Sequence, residues 1–159
     1  MSGFVAQPPS SPPAPDPADQ VAGDAFWPAV SISEFRDAYG IAKAVTDTRV
    51  RDALRAGMLH VRRELRGWKA GHVAAGATAL ANVESEEIDG VPAAELLYRR
   101  AVCCVAAADL GESHNEISAT ADGRDRIAEE ITAADELRRS ATHAIRDILG
   151  VTRTSVELI

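Results

Sequence analysis

Residues 92–112, PAAELLYRRAVCCVAAADLGE, decide the fold, because apolar side chains lie on nearly every side of the helix that this stretch predicts. Pro92 suits the first position of a helix, where its missing amide hydrogen is not needed. The longest apolar run of the chain, residues 101–108, lies within this stretch. A helix exposed on one side carries a single apolar stripe, whereas a helix that is apolar all round is buried. We therefore predict a helix at the centre of the packing.

Two further helices, each with one apolar stripe, are predicted on either side of this central helix in the sequence. The first runs from Thr46 or Asp47 to a stop at Gly71, and the second runs from about Asp125 to Leu149 and stops at Gly150. Both stripes have the alternating spacings of three and four that a core-facing helix requires. The stripe residues are Val50, Leu54, Gly57, Val61, Leu65 and Trp68 in the first helix, and Ile127, Ile131, Ala134, Leu137, Ala141, Ile145 and Ile148 in the second.

A short helix is predicted from Ser33 to Tyr39, between a capping-box pattern at residues 31–34 and Gly40. Aromatic residues make up only 4% of the chain, so its apolar content of 46% is mostly Ala, Val, Leu and Ile, which suits closely packed helices. The predicted fold class is all-α, a small bundle of three long helices and a short one. No sheet is expected beyond, at most, a short strand in the C-terminal tail.

The two ends of the chain differ in composition from the helical part. Six of the eight prolines fall between Pro8 and Pro17, so residues 1–24 are predicted to form a Pro-rich mobile arm that adds little to stability. A PxxP ligand is the alternative reading of that arm, and a plain tether is favoured. Residues 25–150 are predicted to be the helical domain. Residues 151–159 are predicted to be an extended interaction tail, since they are rich in Val and Thr and continue no helical stripe.

The sequence contains none of the motifs of the common enzyme classes. It has no His-Glu-x-x-His, no Cys-x-x-Cys, no G-x-S-x-G and no P-loop glycine pattern. Cys103 and Cys104 are interpreted as small buried residues, and the polar stretch 112–116 as a solvated loop in preference to a metal site. No secretory signal or membrane span is expected. We predict a protein that is not an enzyme and needs no cofactor or metal.

Charge is unevenly distributed along the chain. Residues 47–69 hold seven basic and three acidic residues, a net charge of +4 in a chain of −7. A solvated helix face explains this adequately; the alternative is a face for an acidic partner protein or for DNA. Residues 84–95 hold five acidic residues and no basic one. Patches of opposite sign allow copies of one chain to pair head to tail around a ring.

The C-terminal run ADELRRSATHAIRDILGVTRTSVELI, residues 134–159, resembles the end of the phage head completion protein family (GPL family) of contractile-tailed temperate phages. Further matches follow the same order upstream: FWPAVSISEFR, VTDTRVRDAL, LYRRAV, and ATADG followed by RIAEE. The resemblance implies a structural virion protein that docks on the portal ring after DNA packaging, stabilises the filled head and presents a surface for neck or tail attachment. Family members have no catalytic residues, and the helical domain would act as an adaptor.

The resemblance also implies partners. These are the portal ring, neighbouring copies in a dodecameric ring, the next neck or tail-terminator protein, and packaged DNA passing through the channel. The expected location is the virion neck, and the host cytoplasm during assembly. The predicted partner-binding residues are Arg62, Arg63, Arg66, Arg153, Val156, Leu158 and Ile159. A tail that folds back on its own bundle remains the alternative for the last residues. A helical DNA-binding regulator that uses helix 47–69 remains the alternative function.

Overall fold

The computed structural model describes the backbone of residues 16–115 and 123–151, and the side chains of residues 16–113 and 132–151. Helices dominate this part of the chain, so the all-α prediction is confirmed. The helices are α1 (Ile32–Tyr39), α2 (Asp47–Glu64), α3 (Arg66–Ala74), α4 (Ala93–Asn115) and α5 (Gly123–Ile148). Four two-residue strands accompany them: β1 (Gln20–Val21), β2 (Val30–Ser31), β3 (Glu87–Ile88) and β4 (Val91–Pro92).

Helix α4 lies at the centre of the bundle, packed between α2 and α5, as its apolar surface predicts. It runs antiparallel to α5, because Asp109 in α4 approaches Arg138 (3.9 Å) while Leu97 lies near Ile148 at the other end. Five alanines of α4 are almost completely buried: Ala94, Ala101, Ala106, Ala107 and Ala108. Small side chains let the two outer helices approach α4 closely, which explains why so few aromatic residues suffice for this core.

Helices α2 and α4 approach each other closely at Gly57. A Cβ atom at this position would lie 2.6 Å from the carbonyl oxygen of Val102. That distance is far below an ordinary van der Waals contact, so only glycine fits here without moving a helix. Gly57 belongs to the predicted stripe of α2, and the structure gives the reason for a glycine in the stripe.

Several helix ends are formed as the sequence predicts. Ser31 caps α1 through its hydroxyl, Thr46 caps α2, and Gly40 ends α1 with a left-handed φ of 63°. Helix α5 ends at Gly150, whose φ is 67°, and the next amide hydrogen-bonds back to the carbonyl of Arg146 (3.0 Å). This six-to-one bond is the Schellman motif.

The predicted helix of residues 47–71 needs correction. Leu65 (φ −88°, ψ 6°) separates α2 from α3, and α3 continues past Gly71 to Ala74. The stop is Gly76, whose φ of 101° only glycine adopts readily. A glycine inside a helix costs only about 1 kcal/mol relative to alanine, so Gly71 alone does not end the helix.

The predicted N-terminal arm is too long. Residues 17–19 form a 3₁₀ turn, and β1 pairs with β2 in an antiparallel ladder that buries Val21. Asp19 accepts hydrogen bonds from the hydroxyls of Ser31 and Ser33, both at 2.7 Å. Residues 16–24 therefore pack on the domain, because these polar contacts and one buried side chain compensate for their low apolar content. Residues 1–15 of the predicted arm lie outside the described part.

A second ladder precedes α4, where β3 and β4 form a hairpin. Asp89 (φ 54°) and Gly90 (φ 74°) both have the left-handed backbone of a tight hairpin turn. Pro92 lies in β4, not in the first turn of α4 as predicted. The two small ladders also correct the expectation that no sheet occurs outside the tail.

Candidate partner-binding surfaces

Most basic side chains of α2 and α3 contact other groups of the chain. The Arg51 guanidinium donates hydrogen bonds to the carbonyl oxygens of Ala18 and Gln20, both at 2.6 Å. The other contacts are those of Arg49 with Ser113 (3.2 Å), Arg55 with Asp52 (3.0 Å), and Arg62 and Lys69 with Asp24 (both 3.7 Å). Four of the seven basic residues thus bind other segments of their own chain, and Arg55 pairs within α2, so the seven do not form one continuous basic face.

Arg62, one of the predicted partner-binding residues, contacts other groups of its own chain. Its Nε donates a hydrogen bond to the hydroxyl of Tyr98 in α4 (2.9 Å), and Asp24 lies beside its guanidinium. Only 24% of the Arg62 side chain is exposed. Burial raises the pKa of Tyr98, against the opposing effect of the Arg62 hydrogen bond. Arg62 therefore links α2 to α4 and to the N-terminal segment.

Asp24 holds the N-terminal segment on the domain. Its Oδ1 accepts hydrogen bonds from the backbone amides of Phe26 and Trp27, both at 2.8 Å. Partial burial raises the pKa of Asp24, but these two amides together with Lys69 and Arg62 outweigh it, so the pKa is lowered. Trp27 stacks on Tyr98 with ring centroids 4.7 Å apart, and Lys69 lies 5.0 Å from the Phe26 ring.

The outer face of α2 and α3, defined by Leu59, Arg63, Arg66 and Val73, points to solvent. Leu59 is 66% exposed and Val73 is 49% exposed, which is unusual for large apolar side chains. Arg63 and Arg66 are exposed too, and neither forms a salt bridge with a described residue. Leu59 and Arg63 are four residues apart, so they are neighbours on the helix surface. Two of the predicted partner-binding arginines thus lie on an accessible face with apolar residues nearby.

The acidic hairpin, residues 84–90, carries the opposite charge. Glu84, Glu86, Glu87 and Asp89 are exposed, and Ile88 on the same hairpin is 50% exposed. The fifth acidic residue of the predicted acidic patch, Glu95, instead approaches Arg99 of its own helix (3.5 Å). The hairpin therefore offers four carboxylates around one apolar side chain.

A terminal groove of about 430 Å³ opens at the end of the bundle where α5 finishes. Its walls are α3, the segment 83–86 before the hairpin, the first turns of α4, and residues 147–150. Apolar lining residues include Trp68, Val83, Ala94, Leu97 and Ile148. The groove is where the predicted tail leaves the domain, since Val151 directly follows its wall. The predicted partner-binding residues Arg153, Val156, Leu158 and Ile159 lie outside the described residues.

The side chains that could carry enzymatic chemistry are buried or bonded to other groups of the chain. Cys103 and Cys104 are buried free thiols, and burial raises the pKa of Cys103 to about 12, which makes it a poor nucleophile. Burial and a contact with Cys104 likewise raise the pKa of Tyr39. Glu112 is held by Arg138, whose hydrogen bonds lower the pKa of Glu112.

No three or more His, Cys, Asp or Glu side chains of residues 16–115 and 123–151 are grouped so as to hold a metal ion. Among the helices in that same part, none has both the length and the apolar content that a bilayer crossing requires.

Sequence reasoning missed the residues that join the N-terminal segment to the bundle. The pairing of Asp24 with Arg62 and Lys69 links positions far apart in the chain, and no local pattern shows such a pairing. It also missed Leu59 as an exposed apolar residue. The sequence does indicate that Leu59 is exposed, because Leu59 lies outside the three-and-four spacing of the α2 stripe.

Comparisons with known proteins agree on one family. A family model described as phage head completion protein (GPL) matches residues 21–159. The chain is 34% identical over 135 residues to a head completion/stabilization protein of Escherichia phage P2, covering 84% of this chain and 79% of that protein. It is 27% identical over 139 residues to a probable head completion/stabilization protein of Haemophilus phage HP1, covering 87% and 91%. No solved structure matches the chain significantly.

Proposed function

The chain belongs to the phage head completion protein (GPL) family, and from this membership we propose that it docks on the portal ring once the genome is packaged. There it stabilises the filled head and presents a surface for the next neck or tail-terminator protein. It acts as a structural part of the virion neck, assembled from the host cytoplasm, and it is not an enzyme. The observation that carries the proposal is the family match over residues 21–159.

The charged surfaces suit assembly into a ring. The outer face presents Arg63 and Arg66, whereas the acidic hairpin presents four exposed carboxylates. Different patches that complement each other produce head-to-tail contacts, and such contacts close into a ring when the rotation between copies permits. We expect the outer face of one copy to meet the hairpin of the next in a dodecameric ring, with packaged DNA passing through its channel. Leu59 and Ile88 supply apolar area to the same contact.

The C-terminal tail is proposed as the second contact. Val156, Leu158 and Ile159 would anchor it on the portal or on an adjacent copy, with Arg153 adding a charged contact. Full burial of one such aliphatic side chain contributes about 1.5–3 kcal/mol. Repetition around a ring multiplies the effect of modest anchors, because every later contact forms at high effective concentration.

The experiment that tests the proposed function is complementation of a phage that lacks this protein. With the wild-type chain, we expect it to copurify with filled heads and to bind isolated portal rings. A chain lacking residues 156–159 should stay helical and soluble but fail to enter heads. If the wild-type protein is absent from virions and ignores portal rings, the proposal is wrong. If the truncated chain unfolds, the tail belongs to its own core.

The outer face is tested by the double variant Arg63→Glu, Arg66→Glu. Arg62 is left intact, because its substitution would break the contacts with Tyr98 and Asp24 and confuse folding with assembly. The matched control is Arg139→Glu on α5, where the side chain is 64% exposed. We expect the double variant to fold normally and to enter heads poorly, and the control to assemble. Normal incorporation of the double variant would show that the outer face is simply solvated.

A helical DNA-binding regulator remains the competing function. It needs a continuous basic surface on residues 47–69, yet five of the seven basic residues there contact other groups of the chain. The net charge of −7 also opposes nonspecific binding to phosphates. We therefore expect no tight binding of duplex DNA by the purified protein in a mobility-shift titration at physiological salt. Tight binding that weakens steeply with added salt would favour the regulator.

A further inference from the structure

The apolar base of the terminal groove is used by none of the contacts above. Its base is apolar, because Val83 and Ala94 are buried there and Leu97 and Trp68 pack partly against the core. Exposed carboxylates of Glu84 and Glu86 line one side of it. Its volume of about 430 Å³ falls within the range of about 300–1,000 Å³ typical of binding pockets. An extended peptide with aliphatic side chains and one basic residue is the chemistry that fits this lining.

Residues 152–159 have that chemistry. In an extended chain alternate side chains share one face, so Val156 and Leu158 would rest together on the apolar base. Glu157 would then point away from the groove, which keeps it clear of Glu84 and Glu86. Arg153 is the only basic residue of the tail and matches these two carboxylates. We infer that the groove of one copy binds the C-terminal tail of its neighbour. This inference rests on the proposed function, in which copies lie side by side.

The position of the tail's root favours a neighbour over the same chain. Gly150 is itself part of the groove wall, so a tail that filled its own groove would have to reverse direction almost at once. Residues 151–156, VTRTSV, contain four β-branched residues and, apart from Ser155, none of the residue types that dominate turns. β-branched residues favour extended backbone instead. Eight extended residues span up to about 26 Å, so the end of an extended tail can lie that far from Val151.

Disulfide trapping between two chains tests this inference. One chain carries Ser85→Cys, an exposed position in the groove wall that leaves Glu84 and Glu86 intact. The other chain carries Thr154→Cys, which shares the face of Val156 and Leu158 without being an anchor. The native thiols Cys103 and Cys104 are buried and do not compete. Filled heads containing both chains are oxidised and run on a non-reducing gel. We expect a linked dimer from this mixture, and a ladder of higher multimers when one chain carries both substitutions.

The control replaces the groove cysteine with Arg139→Cys, an exposed position on α5, and should give no link to Thr154→Cys. A doubly substituted chain that links only within itself would show that the tail fills its own groove. Absence of any link would show that another partner occupies the groove. Either result overturns the inference.

The same mixture is also oxidised as concentrated purified protein, with the heads assayed separately for the wild-type chain. If the wild-type chain is missing from heads, the proposed function is refuted. The presence or absence of the linked dimer in solution still decides which segment occupies the groove. As a second readout, Arg153→Glu should lower the dimer yield several-fold. Adding Glu84→Arg to the chain that carries Ser85→Cys should restore it. If the dimer yield does not recover, Arg153 does not pair with Glu84.

Discussion

Replacement of Gly57 by alanine is the sharpest test of the packing between α2 and α4. The new methyl group would lie 2.6 Å from the carbonyl oxygen of Val102, which is 0.8 Å short of the 3.4 Å at which ordinary contacts begin. The obstacle is backbone of the central helix, so relief requires that one helix moves. Overpacking of this kind costs about 1–3 kcal/mol. Alanine returns up to about 1 kcal/mol through its higher helix propensity. We expect a net loss of about 1–2 kcal/mol.

Gly71→Ala is the matched control. Gly71 also lies inside a helix, but it is exposed and no atom lies within 4 Å of a Cβ built there. Only the propensity gain remains, so this variant should be more stable than the wild type by about 0.5–1 kcal/mol. Urea unfolding followed by circular dichroism measures both variants. For a chain of this size the melting temperatures of the two should differ by roughly 4–10 °C. Equal stabilisation by both substitutions would refute the close approach of α2 and α4.

Three further predictions concern the N-terminal segment. Tyr98→Phe removes the hydroxyl that accepts a hydrogen bond from Arg62. Urea unfolding should show that the free energy of unfolding falls by about 1 kcal/mol, a modest loss because Arg62 can turn partly to water. Unchanged stability would contradict the link between Arg62 and Tyr98. Asp24→Asn should make the fall in melting temperature between about pH 5 and about pH 2 less steep. The pKa of the Asp24 carboxyl is lowered, so its ionised form stabilises the fold at pH values above the ordinary carboxyl pKa of 3.8, and this stabilisation is lost as the pH falls. An equally steep fall would exclude this role. Removal of residues 1–15 should leave the melting temperature nearly unchanged, whereas removal of 1–24 should cost about 2–4 kcal/mol. Equal effects of the two deletions would support the original prediction of an arm that extends to residue 24.

The elements that local patterns encode were predicted well. The apolar surface of residues 92–112 placed α4 at the centre, and the glycines at 40 and 150 marked two helix ends correctly. Gly71 was misread as a stop because a helical glycine and a terminating glycine look alike in one sequence. Only the backbone angle at Gly76 distinguishes them. The ladder of β1 and β2 was missed because two-residue strands carry no period.

The surfaces were predicted less well than the fold. A count of charges on residues 47–69 suggested one basic face, but the count does not show which charges are paired within the chain. Arg62 and Lys69 are drawn inward by Asp24, a residue that the sequence placed in a mobile arm. Arg63 and Arg66 remain exposed on the outer face. Long-range pairing of this kind depends on the tertiary structure, so it becomes visible only with coordinates.

The antiparallel packing of α5 on α4 has a mechanical consequence. A force applied at Gly150 along the axis of α5 acts on this interface in shear. From Ala134 to Ile148 the described contact is about 22 Å long at 1.5 Å per residue. In shear, side chains along this whole length resist together, whereas a sideways pull would peel the helix away one turn at a time. A chain tethered by its last residues would thus be loaded in the direction in which this helix pair resists best.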